Sequence, residues 1–550
     1  MSENDGVTRD RTLESLADRH FDAIVIGAGI NGAGIARDAA MRGLSVLLVD
    51  KGDVSAGTTS WSTRLIHGGL RYLEHYEVPL VRESLRERER LLHTAPHLVK
   101  PISMLIPIYA DDKRGPRLVR LGMLAYDALS FDKSLDRHHM LSAKEALERE
   151  PGLNPDGLRG AAVYYDAQVE YAERLALENA LSARAAGAVV LTYARVERLV
   201  VESNVARGVE LTDLLGGGAH TARGEVVINV AGPWVDAVLR GSGRSAERMI
   251  GGTKGSHIVV DPFPGAPSEA LYVEARDGRP YFIVPWNDLY LIGTTDERYE
   301  GDLDRVVAGD EEIDYLVTET NRVIPGAGLR RDSILFSYAG VRPLPHVGDG
   351  VAGGITRRHV IHDHAPDLAA QLISIVGGKI TTYRNLAEQT VDMVFEKLGR
   401  RSPRCQTHAV PLPGAPVGDL DDFSADFRAS SGLDEATARR MLRVYGARAS
   451  EVLEAAGDEA ALLEPIGGEP GTLGAEVVHA LHREGAETLT DVLMRRTMIG
   501  LGRSAGVGPD RAAAELAERY CGWDEARAER EVAAYRAYVE RYRPRSGAEA

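Results

Sequence analysis

The sequence predicts a mixed α/β fold: a doubly wound parallel sheet, an antiparallel sheet outside it, and an all-helical C-terminal part. Three observations predict it. Residues 21–50 read as strand, glycine turn, helix, strand and acid. Residues 256–300 hold short strand-like pieces, SHIVVD, YFIVPW and LYLIGTTD, broken by turn residues. From residue 419 onward the apolar spacing is helical, over 434–456, 474–484, 487–500, 508–521 and 523–541.

In the first stretch the apolar run Ala23–Ile26 leads into Gly27, Gly29 and Gly32, a G-x-G-x-x-G spacing. Gly27 permits a sharp turn, Gly29 lets a pyrophosphate approach the backbone, and Gly32 lets the helix pack on the strand. The helix start offers N–H groups and a positive dipole end to phosphate. Asp50 ends the second strand, where a carboxylate accepts from ribose hydroxyls. The unit reads as a Rossmann-like site for a dinucleotide, FAD or NAD.

Further along, 80–95 (RESLRERERLL at its centre) reads as a solvated amphipathic helix, and 171–187 as a helix ending at Gly187. Strands follow at 188–202, 206–211 and 225–232, and LISIVGG at 372–378 is a buried strand leading into a helix at 382–398. Residues 403–418 carry prolines and glycines and read as a linker before a helical domain at 419–545. Residues 1–20 lack the apolar core of a signal peptide and read as a mobile polar arm with room for one short helix.

The whole chain bounds the function. Its 550 residues suffice for two or three domains, with 44% hydrophobic and 27% charged residues as in soluble proteins. A net charge of −16 disfavours nucleic acid as a partner, since that affinity comes from neutralising phosphates. The two cysteines, Cys405 and Cys521, are distant, which argues against thiolate-held iron–sulfur or zinc sites and fits a cytoplasmic, reducing location. No metal is expected. No run of eighteen apolar residues occurs.

Five pieces suggest chemistry. His67, Gly68, Gly69, Arg71 and Tyr72 crowd into 58–76. EVVINVAGPW puts Ala231 and Gly232 at a strand end. Arg342 follows a strand in YAGVRPL, and Arg357 lies in ITRR at 355–358. VGGKITTYR places Gly378, Lys379, Thr381 and Thr382 at a strand-to-helix turn, where a helix start stabilises negative charge. Each piece also has a plain structural reading, as a turn or a strand end. Five in one chain argue for a site.

The residues VIGAGINGAGIARDAA (25–40), TRLIHGGLRYLEHYE (63–77), NVAGPWVD (229–236), KGSHIVV (254–260), IGTTDERYEGD (292–302), YAGVRPL (338–344) and VGGKITTYRNLAE (376–388) together resemble the FAD-dependent glycerol-3-phosphate dehydrogenases. These belong to the glycine-oxidase-like flavoprotein superfamily. The tail, with TLTDVLMRRTMIG at 488–500, is similar to that family's C-terminal domain. The resemblance implies a doubly wound FAD-binding Rossmann-like domain, an antiparallel substrate domain and an all-helical C-terminal domain. The FAD-dependent oxidoreductase region spans 21–402, with FAD-binding segments at about 21–90, 160–240 and 340–400. FAD is then favoured over NAD. Cofactor contacts fall at Gly27, Gly29, Asn31 and Gly32, at Asp50, Thr59 and Ser60, at Ala231 and Gly232, and at Gly378, Lys379, Thr381 and Thr382.

By the same resemblance, His67, Arg71, Tyr72, Arg342, Arg357 and Lys379 surround the substrate. Arg71, Tyr72 and Arg357 suit a phosphate dianion, and either His67 or Arg342 serves as acid–base group. The implied reaction is oxidation of sn-glycerol 3-phosphate to dihydroxyacetone phosphate, with electrons passed through FAD to a quinone. The alternatives are a glycerol-3-phosphate oxidase that uses oxygen, an anaerobic multi-subunit dehydrogenase, and a flavin-fold scaffold without catalysis. Expected partners are the substrate, a quinone, a peripheral membrane surface on the inner face and a second copy as homodimer. Residues 101–131 mix Arg114, Arg117 and Arg120 with Leu118, Leu121, Met123 and Leu124 and are the candidate membrane surface, with a buried core helix as the alternative. Trp61 and Arg64 depart from the family pattern, which often has small residues and Lys there, and so question the local flavin contacts.

Overall fold

The structure, a computed structural model, describes residues 9–74, 76–347, 356–468 and 471–544. The chain forms two compact units. One comprises Met1–Ser60, Leu175–Thr253 and Arg342–Leu412, the other Trp61–Arg174, Lys254–Val341 and Pro413–Ala550.

The first unit is built on a sheet of order Val360–Asp363, Leu372–Val376, Ala219–Asn229, His20–Ile26, Val46–Val49 and Val189–Leu191. All neighbours are parallel except the first pair, which forms an antiparallel hairpin. Ala23 pairs with Val226 on one side and Val46 on the other. Val46–Val49 is buried throughout, as a strand covered on both faces must be. Two further strands, Ala194–Glu202 and Val205–Asp213, pair antiparallel and extend the sheet from Ala219–Asn229.

Residues 9–20 are not a mobile arm. Arg9–Ser15 is helical, Leu13 and Leu16 are buried, and Arg9 pairs with Asp213 at 2.6 Å. Residues 1–8 lie outside the described residues. The stretch read as a linker is also held as far as Pro411: Arg37 donates to the carbonyls of Val410 at 2.8 Å and Pro411 at 3.2 Å, and Cys405 is buried.

The second unit carries a sheet of order Glu297–Arg298, Thr253–Val260, Leu289–Gly293, Pro280–Trp286, Ala270–Glu274, Val99–Tyr109, Leu158–Val169 and Leu65–Ile66. It is mixed rather than purely antiparallel, because Ala270–Glu274 runs parallel to Val99–Tyr109, with Leu271 opposite Leu105. That central strand corrects the reading of 101–131 as a surface. Met104, Leu105 and Ile108 are buried, and the outward-facing apolar side chains are those of the helix Pro116–Leu129 and of Phe131. A continuous apolar run reads the same for a doubly covered strand as for an interface.

The helix Val78–Thr94 is likewise not solvated all along its charged face: Glu87 and Arg88 are fully buried. In the C-terminal part, the single helix expected over 434–456 is two, Glu435–Tyr445 and Ala449–Ala456. Gly446 divides them at φ 57° and ψ −132°. A helix not anticipated, Leu420–Ser430, precedes them, capped by the Asp419 side chain on the N–H groups of Asp421 and Asp422.

Candidate active site

In the first unit, the Gly27 N–H donates to the Val49 carbonyl at 2.7 Å and the chain turns at φ 113°. A Cβ at Gly27 would lie 2.7 Å from the Val230 carbonyl oxygen, and one at Gly32 would run into the Gly27 carbonyl. Both glycines are therefore required by close backbone approach. Helix Ile30–Met41 starts at Gly29. The Ile30 N–H donates to Thr59 Oγ1 at 3.1 Å, so Thr59 braces the helix start. Ser60 instead turns its hydroxyl inward to the Ser55 carbonyl at 2.6 Å.

Asp50 holds the turn as well as lying at the strand end. Its two oxygens accept from Ala28 N–H at 2.6 Å and Gly52 N–H at 2.8 Å. Burial nevertheless pushes its pKa up to about 6, the backbone donors only partly offsetting the loss of water. A charged Asp50 thus gains from further donors such as ribose hydroxyls.

The strand Ala219–Asn229 runs on to Val230, whose N–H meets the Ile26 carbonyl at 2.9 Å, and ends at Ala231 and Gly232 (φ 57°) beside the glycine turn. Strand Leu372–Val376 leads into Gly377 and Gly378, and helix Tyr383–Lys397 begins after the buried Thr381 and Thr382. A Cβ at Gly378 would lie 2.7 Å from Asn31 Nδ2, so the two turns meet. Asn31 Oδ1 is buried with no hydrogen-bond partner among the described residues. This orphaned acceptor, the bare backbone of Gly378 and the first helix start form a cradle that fits a flavin dinucleotide.

The same end of the unit gathers three predicted cations. Gly377 N–H donates to the Pro343 carbonyl at 2.8 Å, which sets Arg342 beside this turn, and the Arg358 carbonyl would stand 3.1 Å from a Cβ at Gly377. Arg342, Arg357 and Lys379 are all half-buried here, and Arg342 reaches Thr253 Oγ1 at 3.5 Å. Ile355, the first residue of the ITRR stretch, lies outside the described residues.

In the second unit, Leu65–Ile66 pairs with Ala167 and Gln168 and delivers His67, half-buried and edge-on to Phe282 at 6.2 Å. Arg71 and Tyr72 follow on a 3₁₀ turn, Leu70–Leu73, both half-buried. A network unseen in the sequence holds this segment. Gly68 N–H donates to the Tyr126 hydroxyl at 2.9 Å, that hydroxyl donates to Asp166 at 2.8 Å, and Arg88 pairs with Asp166 at 2.6 Å. A side chain at Gly68 would run into the Tyr126 hydroxyl and Leu85. Tyr126, Asp166 and Arg88 hold the backbone at Gly68; their partners are 40 to 78 positions apart, beyond any local signal.

The two departures from the family pattern have packing roles. Arg64 is fully buried, pairs with both Glu173 oxygens at 2.7 Å, and lies 4.7 Å over the Trp286 ring. Trp61 packs on Tyr338 at 5.3 Å and Tyr542 at 4.9 Å. Nearby His257, within the KGSHIVV stretch, contacts Thr63 Oγ1 at 2.9 Å and stacks on Tyr338.

A strand–glycine–helix cradle with an acid at the second strand defines a dinucleotide-binding protein. Residues 22–384 match the family described as FAD dependent oxidoreductase, and 405–528 match the C-terminal domain of alpha-glycerophosphate oxidase. The chain is 48% identical to a glycerol-3-phosphate dehydrogenase of Synechocystis sp., over 96% of this chain and 98% of that one. It is 40% identical to a D-erythritol 1-phosphate dehydrogenase of Brucella abortus, over 86% and 94%. The crystal structure of the glycerol-3-phosphate dehydrogenase from Bacillus halodurans complexed with FAD superposes with a TM-score of 0.79 at 31% identity, covering 98% of each chain. The chain belongs to the FAD-dependent glycerol-3-phosphate dehydrogenase family, and FAD is its cofactor.

Proposed function

We propose that this protein oxidises sn-glycerol 3-phosphate to dihydroxyacetone phosphate and passes the electrons to a quinone. The observation that carries the reading is the near full-length identity to the Synechocystis dehydrogenase, 48% over 96% of the chain, with the cradle intact. Bound FAD supplies the acceptor for the hydride that leaves the substrate carbon. The chain's own residues do the rest. Arg71, Tyr72 and Arg357 bind the phosphate, the two guanidinium forks matching its oxygens. His67 takes the hydroxyl proton on a ring nitrogen, suited to this by a reference pKa of roughly 6.5. Arg342 holds the oxygen as negative charge develops on it. Lys379, after two glycines near a helix start, keeps that end of the cradle positive.

A quinone lives in the bilayer, so its reductase must reach one. No described helix is long and apolar enough to cross a membrane. Helix Pro116–Leu129 instead buries Val119, Met123 and Tyr126 and exposes Leu118, Leu121 and Leu124, with Arg117 and Arg120 also exposed; Phe131, just beyond it, is 77% exposed. Arg114, by contrast, is committed to Glu74 and Glu274. This face suits an anionic membrane surface.

The test is anaerobic mixing with sn-glycerol 3-phosphate, reading loss of flavin absorbance, then reoxidation by a quinone compared with air. Faster bleaching by D-erythritol 1-phosphate would move the substrate to the longer polyol phosphate. Faster reoxidation by air would make the enzyme an oxidase. Flotation with anionic liposomes should be lost in Leu121→Glu while bleaching persists.

A further inference from the structure

The cysteine pattern argues only against thiolate metal sites, and the first unit holds a different donor set. Strand Val360–Asp363 carries His362, and His364 follows it directly. With the strand period of two, both imidazoles lie on one face while Asp363 takes the other. There Asp363 pairs with Lys397 at 2.6 Å and accepts from Ala365 N–H at 3.0 Å. The chain then turns at the His364 carbonyl, which accepts from Asp367, Leu368 and Ala369 N–H groups, and this turn brings Asp367 back over both rings.

We propose that His362, His364 and Asp367 form a binding site for one zinc-class divalent ion. His362 Nε2 lies 2.8 Å from Asp367 Oδ2, and His364 Nδ1 lies 3.2 Å from Asp367 Oδ1. All three donor atoms fall within 4.8 Å of one another. A tetrahedral ion with bonds of about 2.0–2.1 Å needs ligand atoms about 3.3 Å apart, so small side-chain rotations complete the set. Two imidazoles and a carboxylate select zinc, cobalt or nickel over magnesium.

The outer contacts match. A ligating histidine donates its other ring N–H to a fixed acceptor. His364 Nε2 lies 2.8 Å from the hydroxyl of buried Ser374 on the neighbouring strand, which leaves Nδ1 for the ion. The turn is anchored from outside: Arg244 donates to the Leu368 carbonyl at 2.7 Å, and Ala370 exchanges backbone bonds of 2.8 Å with Asn204 and Ala206. The site is therefore pre-ordered. It is also open: the Asp367 side chain is 50% exposed and that of His362 36%, which gives ions access and leaves the fourth position to water. The hairpin that carries it leads into Gly377–Lys379 at its other end, so a bound ion would clamp the far end of a strand pair that shapes the cradle.

Calorimetric titration of the chelator-stripped, FAD-loaded protein with zinc chloride tests this. The expected result is one equivalent bound, no heat with magnesium, and a rise in the thermal midpoint with zinc. Asp367→Asn, at an exposed position, and His362→Gln, at a half-buried one, should weaken zinc by about a hundredfold, and Ser374→Ala by about tenfold. All three variants should retain flavin, which reports folding. Cobalt should give the visible bands of a four-coordinate site. Failure of the wild type to bind one equivalent, or unchanged affinity in both Asp367→Asn and His362→Gln, would overturn the proposal.

Discussion

The Gly27–Gly32 turn of the first unit and the His67–Gly69 turn of the second differ in what holds them. The first is closed by backbone on backbone. Gly27 faces the Val230 carbonyl and Gly32 faces the Gly27 carbonyl, with Thr59 and Asp50 adding side-chain bonds. The second is held from outside by a buried chain of side chains running from Arg88 through Asp166 and Tyr126 to the Gly68 N–H. Backbone closure needs glycine at set spacings and leaves a local signature. Side-chain closure needs partners distant in sequence and leaves none. The comparison implies that the first turn tolerates no added methyl at Gly27 or Gly32, whereas the second can be loosened by a single atom.

The largest expected effect is in the first turn. Gly32→Ala drives a methyl into the Gly27 carbonyl, and the cost of overpacking falls on the cradle. The purified variant should carry less than about a tenth of the wild-type flavin by absorbance, still folded by circular dichroism. Near-normal flavin would mean that the two backbones can move apart.

Next come the arginines. Arg342→Ala should lower kcat by about a hundredfold or more, as when one donor to a developing oxyanion is lost. Arg71→Ala should chiefly raise KM, since phosphate binding is uniform along the reaction. Steady-state kinetics of both variants would separate the roles, and similar losses in the same parameter would erase the division.

Tyr126→Phe removes one oxygen from the second turn, leaving the Gly68 N–H without its acceptor and Asp166 with Arg88 but without the hydroxyl donor. The expected cost is about 1–3 kcal/mol of stability, read by denaturant unfolding, with a drop in kcat at unchanged flavin content. If activity holds while stability falls, the network is structural only. His67 placement would then rest on its strand pairing with Ala167 and Gln168.

The smallest effect is a pH dependence in the first turn. The folded protein without flavin holds the Asp50 proton up to about pH 6, above the ordinary carboxylate value. The protonated form is therefore favoured on folding, and this contribution to stability fades as pH rises from about 4 through 6. Ribose hydroxyls donate to the charged form, so FAD affinity should tighten as pH rises through 6 and weaken by up to about tenfold per unit below it. Fluorescence titration from pH 5 to 7.5 checks this, and Asp50→Asn should flatten the profile across pH 6.

What was legible follows the same division. The parallel strands at 20–26 and 46–49, the helix between them and the strand-to-helix turn at Gly377–Gly378 all carry apolar periodicity with glycine at the joints. Val99–Tyr109 is not legible as a strand because an apolar run containing Pro101 and Pro107 does not alternate, although its pairing with Leu158–Val169 extends along the strand. The split between Glu435–Tyr445 and Ala449–Ala456 was hidden because apolar spacing continues across Gly446. There a Cβ would lie 2.7 Å from the ring of His97, a residue more than three hundred positions earlier.

By itself the sequence determined the cofactor cradle, its acid and the family. Those depend on residues whose spacing along one strand–turn–helix is their spacing in space. Tertiary structure alone decided that Arg88 is a buried clamp rather than a solvated charge, and that Met123 belongs to a core while Leu121 faces outward. It alone set His362, His364 and Asp367 on one another. Each of these turns on which groups lose water and which partners meet them. Long-range pairing settles that, and local sequence does not encode it.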